Sequence, residues 1–81
     1  MPHYLVTGAS SGIGAALATA LLRRGDKVTA MARREDRLAA LDDSSGDFHG
    51  SACDVTDAAA LATAIEDAVD KQGPVDCAIL N

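Results

Sequence analysis

Tryptophan is absent from this 81-residue sequence, and Tyr4 and Phe48 are its only aromatic residues. So few flat rings leave no platform for stacked nucleobases and no aromatic belt at a membrane interface. Positive charge is scarce as well: seven Lys and Arg stand against twelve Asp and Glu, a formal net charge of −5. A binder of nucleic-acid backbones carries a basic surface, so that class is excluded. No apolar run approaches the roughly 20 residues that a membrane helix needs. No signal-peptide pattern precedes the first strand-like run, so the expectation is a cytoplasmic chain away from membranes.

Cysteine is sparse too. Cys53 and Cys77 lack C-x-x-C spacing. His49 precedes Cys53 by four residues, but an extended strand separates such a pair by about 13 Å, too far to share a metal. Both thiols lie in or beside apolar runs, which predicts buried core thiols.

What remains is globular, with 48% hydrophobic and 23% charged residues. A chain this short buries only around 60% of its unfolded surface, so it forms one small domain at most. His3 to Thr7 reads as a buried strand that stops at Gly8. From Ile13 a helical period takes over, with Ile13, Leu17, Ala20 and Leu21 on one face and Gly25 as the stop. Lys27 to Ala32 shows little alternation and predicts a strand covered on both faces. A short helix through Leu38, Ala39 and Leu41 ends near Asp42-Asp43 and Gly46. Phe48 to Cys53 is a weaker strand, and Thr56 is the expected N-cap of the next helix, with Asp57 in its first turn. Ala58, Leu61, Ile65, Ala68 and Val69 mark that helix's buried face, Gly73-Pro74 ends it, and Val75 to Leu80 forms a fourth strand.

Strands that alternate with single helices pair in parallel through right-handed crossovers. The expected fold is therefore α/β: a partial Rossmann-type parallel sheet of four strands in the order 3-2-1-4 with three helices. The first two helices cover one face and the third crosses to the other. Strands three and four then stand about 14 Å apart, beyond the reach of a Cys53–Cys77 bridge. The fourth strand is left as an open edge, which predicts a homo-oligomer or partial order for the isolated polypeptide.

A strand that runs through glycines into a helix start suits an anion, because the first-turn N–H groups lack helical partners and the dipole is positive there. Here the spacing is Gly8-x-x-x-Gly12-x-Gly14, preceded by Thr7. Glycine serves where φ is positive or where phosphate comes close to the main chain.

Thr7-Gly8-Ala9-Ser10-Ser11-Gly12-Ile13-Gly14 resembles the T-G-x-x-x-G-x-G signature of the short-chain dehydrogenase/reductase family. Arg33 past the second strand, Asp54-Val55 after the third and Asn81 after the fourth follow the family's order along the whole chain. Leu80 stands where the family has the first Asn of N-N-A-G. The resemblance implies that Gly8, Ala9, Ser10, Ser11, Gly12, Ile13 and Gly14 line a nicotinamide dinucleotide. It implies that Asp54 and Val55 sit against the adenine, and it adds Asn81 to the binding set.

The choice of cofactor falls to the end of the second strand. NAD(H) binding wants a carboxylate about 20 residues past the glycines to accept from the ribose 2′-OH. This sequence has Ala32, Arg33 and Arg34 there. A guanidinium meets a 2′-phosphate with paired charge-assisted hydrogen bonds. NADP(H) is therefore expected over NAD(H), with Arg33 as the clamp, Ser10 or Ser11 assisting and Arg34 turned to solvent.

A complete family member is expected to use a Tyr with a Lys four residues on, helped by a Ser, to pass a proton as hydride moves between nicotinamide and a carbonyl or alcohol. None of these catalytic groups can be placed here: Tyr4 is followed at that offset by Gly8, and Lys27 and Lys71 follow no tyrosine. His3 and His49 lie on separate strands without a Ser or Asp framework and read as surface or satisfied side chains. Glu66, Asp67 and Asp70 share one helix with Lys71 and read as a solvated face. The expectation is that residues 1–81 are the N-terminal part of a single NADP-binding domain, with the catalytic remainder elsewhere. The alternative is a non-catalytic nucleotide-binding or self-associating module.

Overall fold

Residues 2–9, 12–42 and 45–80 are described by the computed structural model. Four strands run β1 (His3–Thr7), β2 (Lys27–Ala32), β3 (Phe48–Ala52) and β4 (Cys77–Ile79), with helices α1 (Gly12–Arg23), α2 (Glu35–Ala39) and α3 (Ala58–Gln72) between them. The strands form one parallel sheet in the order β3-β2-β1-β4, as the alternation of strands and helices predicts. The register aligns His3 with Lys27, Tyr4 with Cys77 and Val28 with Phe48.

Successive side chains on a strand point to opposite faces, and this divides the core. Val6, Val28, Ala30 and Ala32 pack with Ala18, Leu21 and Leu22 of α1 and Leu38 of α2. Leu5, Met31 and Cys53 pack on the other face against Ala64 of α3, with Leu61 and Ile65 half-buried beside them. The absence of alternation in β2 is thus explained, since residues from both faces are buried.

The buried stripe of α1 differs from the one its large side chains suggest. Gly14, Ala18, Leu21 and Leu22 face the core, whereas Ala20 is exposed and Ile13 is 78% exposed. Small residues at 14 and 18 let the helix lie close on the sheet, and this turns Ile13 outward. Gly25, at φ +92°, ends the helix as expected. Its N–H donates to the Leu22 carbonyl at 3.0 Å, and the N–H of Asp26 to that of Leu21 at 3.1 Å.

Two details of α3 also differ. Its N-cap is Asp57, whose Oδ1 accepts from the N–H groups of Ala59 and Ala60, each at 3.1 Å. Thr56 lies one residue before the cap, and its hydroxyl donates to Asp54. Ala64, Ala68 and Gln72 are the buried residues of α3, while Ala58 and Val69 are exposed. Gly73, at φ +87°, caps its C-terminus.

β4 is shorter than the expected Val75–Leu80 and is an edge strand. Cys77 there is exposed, against the expectation of two buried thiols, because the helices packed on the sheet leave this edge open; Cys53 is buried. Both cysteines are free, in keeping with their strands' positions at opposite edges.

Candidate functional site

Parallel strands all end on the same side of their sheet, and loops leaving those ends enclose a crevice. Here Thr7 and Gly8 after β1, Met31 through Arg34 at the end of β2, and Cys53 through Thr56 after β3 line one open cleft of about 690 Å³. Four sequence-predicted site residues from three separate segments, Gly8, Arg33, Asp54 and Val55, thus share one cavity.

Backbone bonds hold the rim together. The N–H of Ala9 donates to the Met31 carbonyl at 3.3 Å, tying the glycine turn to the end of β2. The N–H of Cys53 donates to the Ala32 carbonyl at 2.9 Å, tying the loop after β3 to the same strand end. Gly8 and Gly12 have φ of +65° and +58°. A Cβ placed on Gly12 would meet nothing within 4 Å, so its backbone conformation, not crowding, is what calls for glycine. Ala9 and Gly14 are buried beneath the turn, and Ile13 stands exposed at the start of α1. Ser10, Ser11 and Asn81 lie outside the described residues.

The two arginines part company. Arg34 pairs with Asp36, its Nε donating to Oδ1 at 3.4 Å, and both groups are exposed. That hydrogen bond holds the Asp36 carboxyl below the usual carboxylate range. Arg33 is exposed and makes no ion pair among the described residues. Arg34 borders the cleft and its side chain is exposed to solvent, where it meets Asp36.

Asp54 has a defined conformation although it is exposed. Its Oδ1 accepts from the hydroxyl of Thr56 at 2.6 Å and from the N–H of Thr56 at 2.9 Å. The N–H of Asp57 donates to the Asp54 carbonyl at 2.9 Å and closes the turn. The Thr56 hydroxyl, then the Thr56 N–H, and to a smaller extent the Arg33 charge keep the Asp54 carboxyl below its ordinary value. Thr56 is the site residue that sequence reasoning missed. An Asp followed two residues on by Thr is the pattern of a side-chain-to-backbone turn, and that spacing was the available signal.

Neither histidine belongs to the cleft. His3 is buried, with Nδ1 2.9 Å from the Gly73 carbonyl and Nε2 2.7 Å from the Thr29 hydroxyl, the satisfied side chain that its strand position suggested. His49 is half-buried, and its Nε2 has no hydrogen-bond partner. Burial, then the Lys71 charge, lower its pKa below the usual histidine value. Among the described residues no cluster of His, Cys, Asp and Glu could hold a metal ion, and no helix is long and apolar enough to cross a membrane.

Residues 2–81 match the family described as short chain dehydrogenase. Serine 3-dehydrogenase of Rhizobium radiobacter is 40% identical over 78 residues, which cover 95% of this chain and 31% of that protein. Among solved structures, a variant of actinorhodin polyketide ketoreductase with NADPH superposes at a TM-score of 0.89 with 33% identity, covering 99% of this chain and 32% of that one. The 3-ketoacyl-(acyl-carrier-protein) reductase of Brucella melitensis with NADH superposes at 0.87 with 31% identity, covering 95% of this chain and 32% of that one. The chain therefore spans about a third of the length of the proteins it matches.

Proposed function

The chain belongs to the short-chain dehydrogenase family, and on that footing we propose that residues 1–81 form the N-terminal, NADP(H)-binding part of a single domain in a cytoplasmic oxidoreductase. Bound NADP(H) supplies or accepts hydride toward a carbonyl or alcohol substrate. The groups that handle the substrate's proton belong to the part of the polypeptide that this chain does not span.

The residues present fit such a cofactor. The turn Gly8 to Gly14, with Ala9, Ser10, Ser11, Gly12 and Ile13, would receive the pyrophosphate against its main chain. Asp54 and Val55 would meet the adenine, and Asn81 completes the set beyond β4. One observation carries the preference for NADP(H). In the cleft Arg33 is uncommitted to any carboxylate among the described residues, Arg34 is engaged by Asp36, and β2 ends at Ala32 without an acid. A free guanidinium matches a 2′-phosphate, and no carboxylate at that strand end awaits a 2′-hydroxyl. The similar structures include one with NADPH and one with NADH, so the choice rests on Arg33 itself.

The test is calorimetric titration of the full polypeptide carrying these residues with NADPH and with NADH. The reading expects NADPH to bind at least about tenfold more tightly, the worth of one charge-assisted contact. Equal affinities, or tighter NADH, contradict it. For the isolated residues 1–81 the β4 edge predicts self-association, tested by sedimentation, where a strictly monomeric fragment contradicts it.

A further inference from the structure

β3 is the strand farthest from β4, and it has a neighbour on one side only. The Val28 N–H donates to the Asp47 carbonyl and the Cys53 N–H to the Ala32 carbonyl, each at 2.9 Å. With Val28 in register with Phe48 and Ala32 with Ala52, these bonds turn the main-chain groups of His49 and Ser51 toward β2. The N–H and C=O groups of Phe48, Gly50 and Ala52 therefore point away from the sheet, where no strand among the described residues pairs with them. Later strands of a complete doubly-wound sheet extend it past the fourth, so the third stays an outer edge. Outer edges are commonly blunted by lysine, proline or a bulge. Phe48-His49-Gly50-Ser51-Ala52 contains neither lysine nor proline, and its register with β2 is unbroken.

Two grooves flank this edge, one on each face of the sheet, and Ala52 borders both. On the α2 side, Glu35, Asp42 and Phe48 line a groove of about 280 Å³. On the α3 side, Thr63 and Asp67 line one of about 420 Å³. Side chains of an added strand alternate between the faces, so neighbouring residues of such a strand enter different grooves. Each groove carries a carboxylate, and no Lys or Arg among the described residues lines either. The Lys71 charge reaches His49 from α3, but Lys71 lines neither groove.

We propose that the free edge of β3 takes up an extended segment of a basic partner polypeptide as an additional strand, with two consecutive Lys or Arg side chains entering the two grooves to meet Glu35 and Asp67. Main-chain bonds to Phe48, Gly50 and Ala52 supply the affinity, and the paired cations supply the choice of partner. A second copy of this chain suits the edge less well. Pairing two β3 edges brings like charges together in a chain of net charge −5. Its own basic pairs, Arg23-Arg24 and Arg33-Arg34, lie at the end of α1 and at the cleft, so neither belongs to an extended segment. The proposal does not depend on what the cleft binds.

The test is an NMR titration of the full polypeptide carrying these residues, isotopically labelled, with the end-blocked hexapeptide Thr-Val-Lys-Lys-Val-Thr. The amides of Phe48, Gly50 and Ala52 are expected to shift and to gain protection from hydrogen exchange. The same peptide with Glu-Glu at its centre is expected to bind at least about tenfold more weakly. A form of the Lys-Lys peptide methylated on its main-chain nitrogens keeps both charges, yet it is also expected to lose at least about tenfold. Glu35→Gln combined with Asp67→Asn is expected to bring the Lys-Lys to Glu-Glu affinity ratio within about threefold of unity. Both positions are exposed, so the buried contacts of the fold are left alone.

No shift of the three amides at millimolar peptide overturns the proposal, as does a response confined to β4. Equal affinities for the Lys-Lys and Glu-Glu peptides overturn it too, and so does a ratio unchanged in the double variant. Unaltered binding of the methylated form would reveal an ionic surface contact in place of strand addition, against the proposal. If the β3 amides become protected with rising protein concentration and no peptide, a second copy occupies the edge and the proposal fails.

Discussion

His3 and Gln72 meet through one hydroxyl: Thr29 Oγ1 lies 2.7 Å from Nε2 of His3 and donates to Oε1 of Gln72 at 3.0 Å. The three side chains join β1, β2 and the C-terminus of α3, and all are buried. Gln72 also donates from Nε2 to the Asp47 carbonyl, and His3 reaches the Gly73 carbonyl. In its main-chain bonds, His3 donates to Oδ2 of Asp76 at 2.8 Å and accepts from the Asp76 N–H at 2.9 Å, which binds β4 to β1. This network closes the end of the sheet opposite the cleft.

Thr29→Val keeps the shape of the side chain and removes the shared hydroxyl. Two buried polar atoms lose a partner, and the expected cost is about 2 kcal/mol. Urea unfolding followed by circular dichroism checks it. A loss under about 0.5 kcal/mol would mean that the network adds nothing to stability.

The cap of α3 gives a second stability prediction. Asp57→Ala removes the acceptor for the N–H groups of Ala59 and Ala60, at an expected cost of about 1 kcal/mol. Thr56→Ser, at the position the sequence favoured for the cap, should be close to neutral in the same assay. A larger loss from Thr56→Ser than from Asp57→Ala would contradict the observed capping.

His49 predicts a pH dependence. Burial holds its folded-state pKa below the ordinary histidine value, with Lys71 and His3 adding to that and Asp67 opposing it. In that window the unfolded chain binds the proton and the folded chain resists it. Stability is therefore full above the ordinary value and falls as pH drops below it toward the folded-state midpoint. His49→Val, which also removes the unpartnered Nε2, is expected to flatten that part of the unfolding profile. An unchanged slope between about pH 5 and 7 would assign the dependence to another group.

Much of the fold was legible in the sequence because its punctuation is local. Gly25 and Gly73 end helices at positive φ, and single helices between strands leave few topologies open. Helix faces were less legible. Hydrophobic size pointed to Ile13, but close packing on a sheet rewards Gly14 and Ala18, whose smallness carries no periodic signal. Thr56 and Asp57 are both good caps in isolation, and only where the helix starts in the folded chain, with Asp57 accepting from the Ala59 and Ala60 N–H groups, decides between them. In the site, sequence alone named Arg33 and Asp54. It also set Arg33 apart from Arg34, but the ion pair of Arg34 with Asp36 is a property of the folded turn that it could not show.

The most direct measurement is the affinity of Arg33→Ala for NADPH and for NADH, set against that of the unsubstituted polypeptide. Loss of the guanidinium is expected to weaken NADPH by about 10- to 100-fold and to change NADH by less than about threefold. An NADPH affinity unaltered by the substitution, with NADH still the weaker ligand, would show that some other group chooses the cofactor.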